Sequence, residues 1–363
     1  MANRELYVGL MSGTSLDGVD AVLLEFTGER HRIVDKVFLP FDDAIRNRLL
    51  ALHDPGHGEI HHAATTGNDL ARIYATAVAS LLAKSRTKSA SIQAIGCHGQ
   101  TIRHRPDAGY TIQIGNGALL AELTGNIVVC DFRSRDIAAG GEGAPLVPAF
   151  HQAAFADARI HRVILNIGGI ANVTDLRADA VLGFDTGPGN LLMDAWIKQH
   201  LGENFDSDGR WAQGGKVIPR LLANLLKPDY FIRKPPKSTG RDFFNLEWLQ
   251  GALTGTEDAR DVQATLLEFT VSSITRAIEY FCKGAEEIYV CGGGASNPAL
   301  MQRLATAAPI PVKTTAALGI DPDWVEACAF AWLARQALHL RAGNLPSVTG
   351  ARGPRVLGAI YPA

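Results

Sequence analysis

Apolar and polar positions alternate along the chain in blocks that read as short strands, glycine-bearing turns and amphipathic helices. Leu6 to Met11 is an apolar run of strand length, Ser12 to Gly18 is turn chemistry, and Val19 to Phe26 is apolar again. A dinucleotide-binding or Walker loop continues into a helix after its glycines. Here the chain returns as a strand, which predicts a hairpin with an oversized polar turn. The pattern recurs at RVILNIGGIANVTDL, where Val163 to Asn166 leads through Gly168-Gly169 into Ile170 to Val173. Two such hairpins suggest a duplicated architecture. Helical periodicity covers Ala71 to Ala83, Asn190 to His200, Ala264 to Cys282, Pro298 to Ala307 and Trp324 to Ala342. Strands are expected at Ile92 to Ile95, Thr111 to Ile114, Ile127 to Cys130, Val181 to Phe184 and Glu287 to Cys291. This mixture predicts α/β layers with chemistry at strand ends. The Pro-, Lys- and Gly-rich stretch from Lys227 to Asn245 is the best candidate for a long functional loop.

Composition narrows the function classes. The 363 residues are 47% hydrophobic and 20% charged with a net charge of -2. That suits two medium domains and lacks the basic field that nucleic acid or an anionic membrane surface requires. No charged start followed by an apolar run, and no membrane-length apolar stretch, is visible. A soluble, cytoplasmic protein is the expectation. Five scattered cysteines without a CxxC pair suit reduced thiols better than a disulfide framework. His53, His57, His61 and His62 have helical spacing, but Pro55, Gly56 and Gly58 interrupt any helix there, so they read as a solvated loop.

The 37 glycines cluster after apolar runs, and the clusters carry the candidate chemistry. In Gly13-Thr14-Ser15-Leu16-Asp17-Gly18, main-chain amides and hydroxyls suit an anion, whereas Asp17 or Asp20 would hold magnesium through water. An ordinary polar hairpin turn is the alternative. In Phe184-Asp185-Thr186-Gly187-Pro188-Gly189-Asn190, a strand ends in a carboxylate and a glycine turn opens a helix. A phosphate there would meet free amides at the positive helix end, with Asp185 beside it to take a proton from a nucleophile. A helix cap is the alternative for Asp185. Gly292-Gly293-Gly294 leaves a surface without side chains for a flat adenine ring. Arg133 suits a substrate carboxylate through a two-pronged contact, and His98, Gln100 and Asp136 suit sugar hydroxyls, although each taken alone reads more readily as a structural residue. Glu326 opens an apolar helix, where the dipole alone would also favour an acid.

MSGTSLDGVDAVL, GCHGQT, DFRSRDIAAGGEGAPLVPAFH, NIGGIANVT, FDTGPGN and CGGGASNP occur in this order from residue 11 to residue 298. Together they resemble the anhydro-N-acetylmuramic acid kinase family over nearly the whole chain. The resemblance implies two related actin-like, ribonuclease H-like α/β domains with ATP in the cleft between them. The expected division is 1–136 with 340–363 against 137–339. By position, Gly13 to Asp20 would be the first phosphate hairpin, and Asn166, Gly168 and Gly169 with Gly187 and Gly189 the second. Gly292, Gly293, Gly294 and Asn297 would form the nucleotide-side turn. Asp185 would match the base, with His98, Arg133, Asp136 and Glu326 near the sugar. Family members are homodimers in peptidoglycan recycling.

The implied reaction couples hydrolysis to phosphorylation, with ATP and Mg2+. One oxygen bridges C1 and C6 of the substrate, so water must attack C1 while the bridging oxygen leaves towards the γ-phosphate. Asp185 would deprotonate that water, as an unperturbed and ionised carboxylate. A conventional sugar 6-kinase of the same fold is one alternative. An actin- or chaperone-like nucleotide-gated scaffold is another, although the chain leaves no room for a peptide-binding domain.

Overall fold

The computed structural model describes residues 4–13, 15–177 and 180–363. In chain order the strands are Arg4–Met11 (β1), Gly18–Thr27 (β2), Arg30–Pro40 (β3), Ile92–Cys97 (β4), Gln100–Arg105 (β5), Tyr110–Ile114 (β6), Val128–Cys130 (β7), Arg162–Ile167 (β8), Ile170–Leu176 (β9), Val181–Pro188 (β10), Glu287–Cys291 (β11), Val312–Thr314 (β12) and Ala359–Tyr361 (β13). They fall into two compact units, one of residues 1–154 with 324–363 and one of residues 155–323. The division therefore lies at Ala154/Phe155 and Asp323/Trp324, which puts 137–154 and 324–339 with the first unit.

The sheets share one topology. The first runs β13-β7-β4-β1-β2-β3 and the second β10-β9-β8-β11-β12. In each, a hairpin and a third strand form an antiparallel meander, and the first hairpin strand then pairs in parallel with a strand from much later in the chain. That repetition is the duplication expected from the two glycine hairpins, and the architecture is α/β as predicted.

Backbone proximity sets the packing of the first unit. β1 and β4 are apolar almost throughout because they lie inside the sheet. The helix Val325–Leu338 lies directly against them. A Cβ at Gly9 would sit 1.9 Å from the Ala327 carbonyl oxygen, and one at Gly96 would sit 2.0 Å from that of Phe330. Only glycine permits that approach.

Several boundaries differ from the expectation. The helix expected from Ala71 begins at Glu59 and runs to Lys84, so His61 and His62 lie on an exposed helical face rather than in a loop. Gly58 adopts a left-handed conformation (φ 73°) as the residue before that helix, which is how the glycine interruption is accommodated. The last long helix ends at Leu338 rather than Ala342. β10 runs past Phe184 to Pro188, so Asp185 lies within the strand and not at its end. A register shift between Asp185 and Gly187 lets the ladder accommodate the glycine. No described helix is long and apolar enough to cross a membrane.

Gly96→Ala is expected to lower stability by about 1–3 kcal/mol through overpacking against Phe330. Gly251→Ala, on the helix Leu246–Ala252 with open space around the added carbon, is expected to be neutral or mildly stabilising. Denaturant midpoints of the two variants check this contrast.

Candidate active site

In the second unit, three glycine turns pack closely against one another. The Gly189 and Asn190 N–H groups each donate at 2.8 Å, to the carbonyls of Gly169 and Gly168 respectively. A Cβ on Gly189 would be 2.3 Å from the Gly168 oxygen. Gly292, at φ 78°, packs so that a Cβ would lie 2.3 Å from Asn166 Oδ1, and one on Gly294 would lie equally close to Ile167. Asn166, Gly168, Gly169, Gly189, Gly292 and Gly294 thus assemble into one cluster, whereas Gly187 pairs with Ala171 in the sheet and packs against Phe231 and Ser273. Gly293 joins the cluster with open space where a side chain would project. Two details correct the sequence reading. The Gly189, Asn190 and Leu191 amides are already bonded within the cluster, so they are not free for a phosphate. Asn297 caps the helix Pro298–Ala307, its Oδ1 accepting from the Leu300 N–H at 3.1 Å, which commits that side chain to the helix start.

Asp185 is half-buried and held from one side by the segment 227–245. Its N–H donates to the Lys237 carbonyl at 3.0 Å, and its own carbonyl accepts from the Tyr230 hydroxyl at 2.7 Å. The Thr239 N–H donates to its Oδ2 at 3.0 Å, leaving Oδ1 for other work. Burial pushes the carboxyl up to about 6, against the Thr239 hydrogen bond and the Lys237 charge. The carboxylate is therefore not the unperturbed one expected from sequence, but a base matched more closely to neutral pH. Tyr230, Lys237 and Thr239 were not singled out in the sequence. Their only signal was the composition of the segment that carries them. Asp194, on the helix Leu191–Leu201, was also missed; burial and the neighbouring Asp206 push it up to about 7, while Arg241 opposes them.

The first unit carries the other candidates. In the turn 12–17, Thr14 lies outside the described residues. Ser12 is buried and its hydroxyl hydrogen-bonds with that of Tyr74 at 2.8 Å. Leu16 is buried in left-handed backbone (φ 57°), so this turn is anchored by an apolar side chain rather than being wholly polar. Gly13, Ser15, Asp17 and Gly18 follow one another around the turn, with the Ser15 hydroxyl donating to Asp17 at 2.7 Å. Asp17 is exposed, whereas Asp20 lies half-buried in β2 opposite Met11.

His98 and Arg133 form one assembly. Arg133 donates to His98 Nε2 from Nη2 at 3.0 Å and to the Gly143 carbonyl from Nη1 at 2.9 Å. His98 Nδ1 then carries the proton and faces the Ser12 carbonyl at 3.3 Å. Burial and the Arg133 charge push His98 down to about 3, which keeps the ring neutral. Burial also draws Arg133 down to about 10, opposed by Glu326, so the guanidinium stays charged. Burial pushes the Glu326 carboxyl up, with Arg133 opposing. Glu326 nonetheless has an exposed surface, and water reaching it tempers that push.

Two sugar-side candidates face inward instead. Gln100 is fully buried and donates to the Gly13 carbonyl at 3.1 Å, so it braces the glycine hairpin. Asp136 is fully buried as well. It accepts from Asn344 at 2.6 Å, the Thr349 hydroxyl at 2.8 Å and the Gly143 N–H at 2.8 Å. It organises the 139–143 loop and has no reach to a sugar hydroxyl here. Among the described residues no group of three or more His, Cys, Asp or Glu gathers as a metal cage.

The sequence model of one family, described as anhydro-N-acetylmuramic acid kinase, matches residues 5–363. The chain is 60% identical over 365 residues to the protein of that name from Thiobacillus denitrificans, covering 99% of this chain and 98% of the relative. It is 58% identical over 361 residues to the one from Nitrosospira multiformis, covering 98% and 99%. Among solved structures, a ROK family glucokinase from Streptomyces griseus in complex with glucose and AMPPNP is similar at 12% identity and a TM-score of 0.43, covering 91% and 99%.

His98 binds its proton near 6.5 when unfolded but only near 3 when folded. Folding stability is therefore expected to fall as pH drops below about 6.5. His98→Gln removes that titration and should flatten the pH dependence of unfolding free energy by up to about one proton. An unchanged slope would contradict the buried neutral ring.

Proposed function

The chain belongs to the anhydro-N-acetylmuramic acid kinase family, and on that premise we propose that it opens 1,6-anhydro-N-acetylmuramic acid with water and phosphorylates it from ATP, giving N-acetylmuramic acid 6-phosphate and ADP. The family match across residues 5–363 carries this reading. The setting of Asp185, a single half-buried carboxylate poised near 6 with one oxygen unclaimed by Thr239, supports its role as the base. The remaining details rest on the same premise: a homodimer, in the cytoplasm, acting in peptidoglycan recycling.

Asp185 takes a proton from the water that attacks C1. The C1–O bond of the bridge breaks, the freed oxygen on C6 bonds to the γ-phosphorus, and the bond from that phosphorus to ADP breaks. Atoms balance as sugar plus water plus ATP. The converging turns at Asn166 to Gly169, Gly187 to Gly189 and Gly292 to Gly294 offer the nucleotide a surface of main chain. The hairpin from Gly13 to Gly18 would supply main-chain amide donors to the transferring phosphate. Asp17 fits Mg2+, because that ion asks for hard oxygen ligands and keeps several waters, so one or two carboxylates suffice. Asp17 and Asp20 would hold it, and bound there it would neutralise phosphate charge. Arg133 has three of its five N–H groups committed to His98 and Gly143. The two left, one on each terminal nitrogen, suit the lactyl carboxylate of a muramic acid. Glu326, beside that guanidinium, is the remaining sugar-side acceptor.

ADP release with Mg-ATP is expected with the anhydro sugar and to be weak with glucose, N-acetylglucosamine or open N-acetylmuramic acid. Preference for an open sugar would move the chain to a conventional sugar kinase. Asp185→Asn should lose about 1,000-fold or more in turnover while ATP still binds. Wild-type kcat/KM should fall as pH drops through about 6, because the carboxylate must be ionised to accept the proton. Near-normal turnover in the variant would remove Asp185 from the base role.

A further inference from the structure

Lys237 is buried beside Asp185 and has a setting unusual for an ammonium. It is only 5% exposed. Its Nζ donates to the Tyr230 carbonyl at 3.1 Å and more weakly to that of Phe231 at 3.4 Å. The same nitrogen lies 4.7 Å from the centre of the Tyr230 ring, 5.1 Å from that of Phe281 and 5.9 Å from that of Phe184. Ring faces and carbonyl dipoles both attract a cation, and together they offset part of the cost of taking it out of water.

The contacts close a circuit. Lys237 grips Tyr230 through the carbonyl and the ring face. Tyr230 grips the Asp185 carbonyl through its hydroxyl, and the Asp185 N–H returns to the Lys237 carbonyl. Three residues from two distant stretches of chain thus fix one another, and the circuit runs through the main chain of Asp185 rather than its carboxylate. The segment between them contains Pro235 and Pro236 and no regular hydrogen-bonded element over 232–245. Its shape therefore depends on anchors such as this one.

We propose that Lys237 is a positioning residue for Asp185, whose caged ammonium fixes Tyr230 and the Asp185 main chain and presents a positive charge that favours the ionised carboxylate. The proposal rests on the reading of Asp185 as the base. The titratable and charged groups that bear on this cluster are Arg233, Tyr230, Lys237 and Asp185 themselves. Burial and the Arg233 charge draw Lys237 down to about 8, opposed by Asp185. The cage thus holds a cation at neutral pH and loses it as pH rises through about 8. Burial pushes the Tyr230 phenol up, so it remains a donor throughout.

The test is the pH profile of kcat/KM for the full chain with Mg-ATP and the anhydro sugar, in wild type, Lys237→Met and Asp185→Asn. Lys237→Met keeps the length of the side chain and removes its charge. In wild type, loss of the Lys237 charge should add a decline in kcat/KM near pH 8. In the variant the acid midpoint should move up from about 6 by roughly half a unit or more, and that alkaline decline should be absent. Its kcat should fall about tenfold, with KM for ATP changed less than about twofold. A lower kcat with both midpoints unmoved would mark Lys237 as merely structural and overturn the proposal. If Lys237→Met does not fold, Tyr230→Phe keeps the ring and breaks the circuit at the Asp185 carbonyl. A several-fold loss in kcat at unchanged melting temperature then supports the circuit, and an unchanged kcat overturns it. Asp185→Asn separates the two claims. An active variant sinks the base itself, whereas an inactive one beside an unmoved Lys237→Met profile sinks only the role of Lys237.

Discussion

Three glycine turns pack together at the strand ends of the second unit so closely that no side chain fits on the glycines at their contacts. Gly189 lies against the Gly168 carbonyl, Gly292 against Asn166 and Gly294 against Ile167. Each glycine is there because a Cβ would occupy space already filled by a neighbour. The result is a patch in which the Gly189, Asn190 and Leu191 amides are held by hydrogen bonds to the Gly168 and Gly169 carbonyls, while Gly293 leaves open space where a side chain would project. The first unit uses the same constraint for another purpose. There, Gly9 and Gly96 bring a helix onto the sheet, which sets the strand ends that carry the first hairpin and His98.

Around these fixed surfaces the charged groups are few, and each is adjusted by burial. His98 is kept neutral so that it accepts from Arg133 and donates to Ser12 in one orientation. Asp136 accepts from Asn344, Thr349 and the Gly143 N–H, and so ties the loop that supplies Gly143 to Arg133 to the C-terminal stretch of the chain. Asp185 differs from both. It keeps one oxygen outside the Thr239 bond, and burial moves it towards neutrality while a buried lysine limits that movement. His98 and Asp136 are committed to their own unit's structure, whereas the half-buried Asp185 is suited to exchange a proton.

The hairpins, the glycine turns and the α/β alternation were legible because each leaves a local mark, an apolar run broken by glycine. The turn signals also misled. Gly187 and Pro188 read as the end of a strand, but the ladder continues through them by shifting register at Asp185. Gly56 and Gly58 read as a helix breaker, but the helix simply starts at Glu59. Roles that depend on distant chain were not legible. Asp136 looked like a sugar ligand until Asn344 and Thr349, two hundred or so residues onward, were seen to fill it. Lys237 sat in a segment marked only by its composition, and nothing local to it announces Phe184 or Phe281.

The central claim is that water held by Asp185 attacks C1 while the bridging oxygen takes the phosphate. Its most direct test is turnover in oxygen-18 water, with the product trapped before its hemiacetal exchanges with solvent. The account predicts one solvent oxygen at C1 and an unlabelled oxygen between C6 and phosphorus. Label at the C6–phosphorus bridge, or none at C1, would contradict it.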